Sequence, residues 1–241
     1  MPLATLRARK ALAMVSDPAY RRAIRLGVAP SIEHGAVPFL DSYETIVDAG
    51  AARGQFALFA RKRYPKARVL CFEPLREARE TLQRLFQSDP LVEVHGVALG
   101  ARSGAATLNV SAQDDSSSLL PIGATQEHVY PGTGKAREQT VTVQRLDEAL
   151  DGVASPALIK VDVQGGELDL FRGAGEILSL FNDIFVECSF AELYDGQPLA
   201  TDVLGFLFSH RFQLVGVYGV ARAANGICLQ ADFLLRRSDN P

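Results

Sequence analysis

The 241-residue sequence contains no tryptophan and only three cysteines, Cys71, Cys188 and Cys228. They are far apart, lie in apolar strand-like runs and share no metal-binding or redox spacing. They read as buried reduced thiols of a cytoplasmic protein, which excludes a disulfide-built scaffold. A charge excess is also missing: 25 Lys and Arg stand against 28 Asp and Glu, a formal net charge of −3. That balance supplies no overall attraction to nucleic acid or to an anionic membrane. There is no basic cluster with interleaved aromatics, so no nucleic-acid partner is expected. No apolar run approaches the roughly 18 residues a membrane-spanning helix needs, so no span is expected either. The N-terminal MPLATLRARKALAMV faintly resembles a targeting peptide, but polar residues resume at Ser16, Asp17 and Arg21. It reads as an amphipathic helix that packs on the domain, covers the active site or serves a homodimer.

What is present is enough apolar material, 47% of residues, to bury one large core. From about residue 45 short β-rich runs alternate with helix-period stretches. Residues 45–48 (TIVD) form a strand that ends in a glycine turn, and a helix over 55–64 follows, closed by Pro65. Residues 68–73 are a second strand, 75–86 an amphipathic helix and 91–99 a third strand. This βαβαβ order predicts a parallel sheet with helices on both faces. The alternation then breaks. Residues 105–111 and 139–146 have strand period, and the 27 residues between them are rich in Ser, Gly, Pro and Asp. A loop of that length inside a compact domain is either functional or disordered. Core strands resume at 157–163 and 183–188, with a helix over 167–180 between them. The last two strands, 212–218 and 227–235, are separated by only eight residues ending in Asn225-Gly226. No crossover helix fits there, so the final strand must run antiparallel. The expected architecture is an α/β fold with a mostly parallel seven-stranded sheet, an antiparallel last strand and helices on both faces. A β-rich insertion over about 101–156 follows the third strand, and residues 1–40 form a helical extension ahead of the main domain, 41–241.

The turn VDAGAARG, residues 47–54, lies between a strand and a helix. Gly50 allows the tight turn, Gly54 lets the chain approach a ligand, and the helix N-terminus offers N–H groups to an anion. Asp48 would repel a pyrophosphate but would suit a cofactor bearing an ammonium and a sulfonium. The spacing also lacks the third glycine of a dinucleotide fingerprint. Glu73 ends the second strand 23 positions after Gly50, where a carboxylate can accept hydrogen bonds from both ribose hydroxyls. An adenosyl group would then lie near Gly96, Val97 and Ala98.

Several ordered segments together resemble the FkbM family of methyltransferases, from about residue 40 to the C-terminus. They are VDAGAARGQF (47–56), CFEPL (71–75), GVALG (96–100), DDSSSLL (114–120), LIKVDVQGGEL (158–168) and VECSF (186–190). The resemblance implies a Rossmann-like class I methyltransferase fold, S-adenosylmethionine as methyl donor and a hydroxyl acceptor on a sugar-containing or secondary-metabolite molecule. Carried onto this chain, the cofactor-binding set is Asp48, Gly50, Ala51, Arg53, Gly54, Gln55, Glu73, Pro74, Val97, Ala98 and Asp162. Three positions depart from the family pattern: Ala52 and Gly96 replace the common Asn, and Gln164 replaces a frequent Glu. Gln164 therefore cannot act as a catalytic acid or base.

Methyl transfer to oxygen needs an aligned acceptor and removal of its proton. Asp162 and Glu187 fall at the ends of apolar strand runs, IKVDV and IFVEC, where a carboxylate is costly unless paired or serving a ligand. Asp162 is expected as general base or acceptor-positioning residue, and Glu187 as hydroxyl anchor or divalent-ion ligand. Lys160 shares the side-chain parity of Asp162 and would neutralise it. A divalent metal is not favoured, the Asp114-Asp115 run reading as a solvated loop. Ser117, Ser118, Tyr130 and Tyr194 are expected to line the acceptor site, and His34, His95 and His128 are further candidate bases. The competing readings are a nicotinamide-dependent oxidoreductase, which Asp48 disfavours, and a catalytically degenerate nucleoside-binding protein, which Ala52 and Gln164 leave open.

Overall fold

The computed structural model describes residues 17–29 and 31–238. The amphipathic helix expected over the first fifteen residues lies outside these. Helix α1 (Pro18–Arg25) opens on Asp17, whose carboxylate accepts from the Ala19 N–H at 2.8 Å. Its Tyr20 and Ala23, with Val28 beyond it, pack on Leu58 and Leu85. A 3₁₀ turn (Ile32–Ala36) and an extended stretch then lead Val37, Phe39 and Tyr43 into the core.

The main sheet is built from β1 (Thr45–Ala49), β2 (Arg68–Phe72), β3 (Val92–His95), β7 (Ala157–Val161), β8 (Asp183–Ser189), β9 (Phe212–Arg222) and β10 (Cys228–Arg237). Their spatial order is β3-β2-β1-β7-β8-β10-β9. Strand β10 alone runs against its neighbours, β8 and β9. The expected seven-stranded sheet with a reversed last strand is therefore present. Helices α2 (Gln55–Arg63), α3 (Arg76–Phe86), α6 (Glu167–Ala174) and α7 (Ala200–Ser209) cover it. Strands β1 and β7 are buried at every position, which is why they read as continuous apolar runs rather than alternating ones.

Two expectations need correction. The third strand is not continuous over 91–99. It leaves the main sheet after His95, and β4 (Ala98–Leu99) pairs with β6 (Lys135–Gln144) instead. With β5 (Gly104–Ser111) these make a separate three-stranded sheet, ordered β4-β6-β5, whose apolar side rests on Leu75 and Ala78. The helix expected over 167–180 ends at Ala174, because Gly175 takes φ +54° and the chain tightens into 3₁₀ turns. The long insertion also carries a short helix α4 (Ala124–Val129), and α5 (Leu146–Ala149) leads back to β7.

Cys71 and Cys188 are buried and Cys228 is half-buried, all as free thiols. Among the described residues no helix is long and apolar enough to cross a membrane.

Candidate active site

At the C-terminal edge of the parallel strands, side chains of one sheet face line up across neighbouring strands. Asp48 stands beside Lys160, and Lys160 beside Phe185. One step further along, Glu187 stands beside Asp232, and Asp232 beside Tyr218. Below these rows the same face is apolar, with Ile46, Leu158 and Leu234 in its core. The charges therefore collect where the strands end, which is where ligands bind in such sheets. A cleft of about 360 Å³ opens there.

Of the residues expected to serve a site, Gly50, Ala51, Gln55, Glu73, Pro74, Val97, Ala98, Ser117, Ser118, Lys160 and Asp162 line this cleft. Asp48, Arg53, Gly54, Tyr130, Glu187 and Tyr194 stand behind or beside it. Gly50 has φ +75°, and a Cβ there would come within 1.8 Å of the Asp162 carbonyl oxygen. The turn after β1 and the end of β7 thus touch backbone to backbone. Gly54 was expected to admit a ligand; instead its missing side chain makes room for Leu82, whose Cδ1 would lie 2.6 Å from a Cβ. The turn's N–H groups are also less free than expected. Those of Gly50 and Ala51 donate to the Phe72 carbonyl, that of Ala52 to Glu73, that of Arg53 to Gln55 and that of Gly54 to the Ala51 carbonyl. Gln55 and Phe56, which line the cleft, supply the first N–H groups of α2 beyond them.

Glu73 is nearly buried. Its two oxygens accept from the N–H groups of Ala52 and Leu75, each at 2.8 Å. Burial pushes its carboxyl up to about 7, against the pull of those two hydrogen bonds. Asp48 is fully buried and neither of its oxygens has a hydrogen-bond partner among the described residues. Burial raises its proton affinity, and the nearest compensation is Lys160 Nζ at 3.6 Å. Lys160 is itself buried. It donates to the Gly50 carbonyl at 3.2 Å and to Asp162 Oδ2 at 3.3 Å. Burial works against its charge, but the Asp162 and Asp48 carboxylates overcome it and hold the ammonium protonated.

Asp162 is one-third exposed. Its Oδ1 accepts from Gln164 Nε2 at 2.7 Å while Oδ2 faces Lys160. Gln164 is the hub of the wall behind the cleft. Its amide nitrogen also reaches Glu187 Oε2 at 3.4 Å, and its Oε1 accepts from Tyr194 Oη at 2.7 Å. Its carbonyl accepts from Ser118 Oγ at 2.6 Å. Glu187 accepts in addition from Gln230 Nε2 at 2.9 Å, and Gln230 Oε1 accepts from Tyr130 Oη at 3.4 Å. Burial, then the charges of Asp162 and Asp232, push the Glu187 carboxyl well above the usual range. Tyr130, Tyr194 and Glu187 thus join in one network that braces the cleft. Asp114, from the insertion, pairs with Arg53 at 2.7 Å, tying the loop that carries Ser117 and Ser118 to the turn after β1.

The sequence reading missed Asp232 and Glu33, which also line the cleft. Burial pushes the Asp232 carboxyl up to about 7. The signal for it was available: a lone carboxylate in the apolar run CLQADFLL, the same criterion that picked out Asp162 and Glu187. His34 lines the cleft too, held edge-on against Phe56 and Phe185 at ring-centroid distances of 5.2 and 5.5 Å. Burial lowers its proton affinity, to about 4. Among the described residues, six carboxyl groups and one ammonium line the cleft: Glu33, Glu73, Asp114, Asp115, Asp162 and Asp232 against Lys160. Such a lining favours cationic groups and opposes phosphates. No group of three or more metal-ligating side chains is placed to hold an ion among the described residues.

Residues 48–214 match a family model described as the methyltransferase FkbM domain. Among curated proteins, the chain is 30% identical over 169 residues to "Methyltransferase 1" of Beauveria bassiana, covering 64% of this chain and 68% of that protein. It is 32% identical over 162 residues to "Methyltransferase sdnD" of Sordaria araneosa, covering 57% of this chain and 62% of that one. It is 29% identical over 201 residues to "2-O-methyltransferase NoeI" of Sinorhizobium fredii, covering 80% and 79%. Among solved structures, a precorrin-6y C5,15-methyltransferase from Geobacter metallireducens superposes with a TM-score of 0.47 at 12% identity, covering 93% of this chain and 91% of that one.

Proposed function

Because the chain belongs to the FkbM methyltransferase family, we propose that it transfers the methyl group of S-adenosylmethionine to a hydroxyl oxygen of a sugar-containing or secondary-metabolite acceptor. The observation that carries the cofactor assignment is the acid-lined cleft, with Glu73 at one end and the buried Asp48–Lys160 ion pair beneath its glycine turn. The residues present fit an adenosyl sulfonium: Glu73 offers acceptors to the ribose hydroxyls, Val97 and Ala98 an apolar seat for the base, and the excess of carboxyl groups in the lining compensation for positive charge. When bound, the cofactor supplies an electrophilic methyl group. The chain's task is to hold an acceptor oxygen in line with it, about 3 Å away, and to exclude water.

The oxygen acceptor is supported by one relative named a 2-O-methyltransferase, and a sugar-containing acceptor by another named a hexuronic acid methyltransferase, of Haloferax volcanii. Asp162 serves as the positioning group, its orientation fixed by the Lys160 ammonium on one oxygen and the Gln164 amide on the other. Ser117 and Ser118 line the same cleft from the insertion and complete the acceptor wall. Calorimetry should show binding of S-adenosylhomocysteine and none of NADH; the reverse result ends the cofactor assignment. Mass spectrometry of glycan and metabolite extracts treated with the protein and S-adenosylmethionine should reveal a product one methyl group heavier. Cofactor binding with no such product would favour a nucleoside-binding protein instead.

A further inference from the structure

The geometry points to His34, carried by the N-terminal segment ahead of the matched family region, as the residue that takes the acceptor's proton. This rests on the hydroxyl reading above and assigns the base within it. Three observations support it.

First, the ring is built into the cleft wall. Phe56, Phe59 and Phe185 contact it at centroid distances of 5.2, 5.5 and 5.5 Å, two of them edge-on, so its plane is fixed by packing. Second, its two nitrogens are unequal. Nδ1 lies 3.3 Å from the Ser31 carbonyl, an acceptor only, which assigns the proton to Nδ1 and leaves the lone pair on Nε2. Nε2 has no protein hydrogen bond among the described residues. The ring is half-buried and lines the cleft, so a ligand's donor can reach its lone pair there. Third, Asp162 is tied to the Lys160 ammonium and the Gln164 amide, contacts that hold it in place as a positioning group.

The charges around the ring suit its transient protonation. Burial and Lys160 keep it neutral before reaction, while Glu33 and Asp162 favour the imidazolium once formed. A weak base suffices. As the acceptor oxygen bonds to the methyl carbon, the carbon–sulfur bond breaks with its electron pair left on sulfur, and the O–H becomes strongly acidic. That proton then passes to Nε2, giving an ether, S-adenosylhomocysteine and the imidazolium, which solvent deprotonates.

Two measurements test this. Long-range ¹H–¹⁵N correlation on the full chain labelled at histidine, bound to S-adenosylhomocysteine at pH 7, should show a protonated Nδ1 and a bare Nε2. His34→Gln identifies the resonance by its loss. A proton on Nε2, or a charged ring, overturns the assignment without any acceptor being present. In the second, methyl transfer to a panel of methyl glycosides of neutral hexoses and deoxyhexoses is followed by the gain of one methyl group. His34→Gln and His34→Phe should each lower the rate about 100-fold or more, with affinity for S-adenosylhomocysteine unchanged within about threefold. His34→Phe preserves the aromatic packing, so a wild-type rate in that variant would show that the ring only fills space and would end the proposal. A wild-type protein that methylates amines or thiols but no hydroxyl would instead sink the underlying reading, and this inference with it.

Discussion

The two halves of the cleft are assembled differently. The half proposed for the cofactor comes from short contiguous pieces, the turn 47–56 and the strand end 71–75, which lie next to each other because β1 and β2 pair in register from Thr45–Arg68 to Ala49–Phe72. The half proposed for the acceptor is gathered from Glu33 and His34, from Ser117 and Ser118, from Asp162 and Gln164, and from Asp232, all of which line the cleft. Nearly 200 positions separate its first and last members. A local half can be specified by one supersecondary unit, whereas a dispersed half depends on the whole fold being closed. The cofactor half should therefore tolerate changes in the insertion and the N-terminal segment, and the acceptor half should not.

The largest effect expected is on the contact that joins the halves. Gly50→Ala places a Cβ on top of the Asp162 carbonyl in a backbone conformation that L-residues avoid. It should cost about 4 kcal/mol or more, lowering Tm by about 8–16 °C. Gly54→Ala also puts a side chain at a positive φ, +95°, but its Cβ meets flexible side chains rather than backbone, Leu82 at 2.6 Å with Phe86 and Leu85 at 3.2 and 3.3 Å. It should cost less, about 1–3 kcal/mol. Thermal denaturation of the two variants side by side checks the ranking. A Gly50→Ala protein as stable as wild type would mean that the two turns do not touch.

The next effect belongs to the cofactor half alone. Glu73→Gln should weaken S-adenosylhomocysteine binding by about 10–100-fold, the worth of hydrogen bonds to a charged acceptor. The pH dependence follows from the raised proton affinity. The carboxyl sits near 7, so it is increasingly protonated below that value and loses acceptor capacity. Affinity should rise with pH from about 6 to 8 and level off above, and Glu73→Gln should flatten the rise. A slope surviving in full would move the titrating group to Asp232, which burial also holds near 7.

How much of this was legible in the sequence divides along the same line. The glycine turn, Glu73 and the reversed last strand were readable because each is a local pattern with a stated physical reason. The break after His95 was not. Alternation marks 91–99 as strand but cannot say which sheet its residues join, and Ala98 and Leu99 find β6 instead of extending β3. His34 was named as one of several histidines, but its clamp of Phe56, Phe59 and Phe185 comes from three separate elements. Gln164 was set aside because an amide cannot move a proton. The structure gives it a different place, at the junction of Asp162, Glu187, Tyr194 and Ser118.

That junction gives a test specific to the acceptor half. Asp162→Asn should leave S-adenosylhomocysteine affinity within about threefold while cutting methyl transfer about 100-fold, the loss expected from a misplaced acceptor. Equal losses in both would make Asp162 a cofactor residue and blur the division between the halves.

The smallest effect concerns Ala52, which sits at φ +45° between the two glycines of the turn, where a side chain is strained. Glycine removes the strain but adds freedom to the unfolded chain, so the two terms partly cancel. Ala52→Gly should raise stability by about 0.5–1 kcal/mol, or Tm by about 1–4 °C. Asparagine, which visits this region more readily than alanine, should fall between them. Because Ala52 donates its N–H to Glu73, a gain in stability without loss of S-adenosylhomocysteine affinity would show that the strain is not needed to aim that carboxylate. A gain bought with weaker binding would show the opposite, that the strained turn holds Glu73 ready for the ribose.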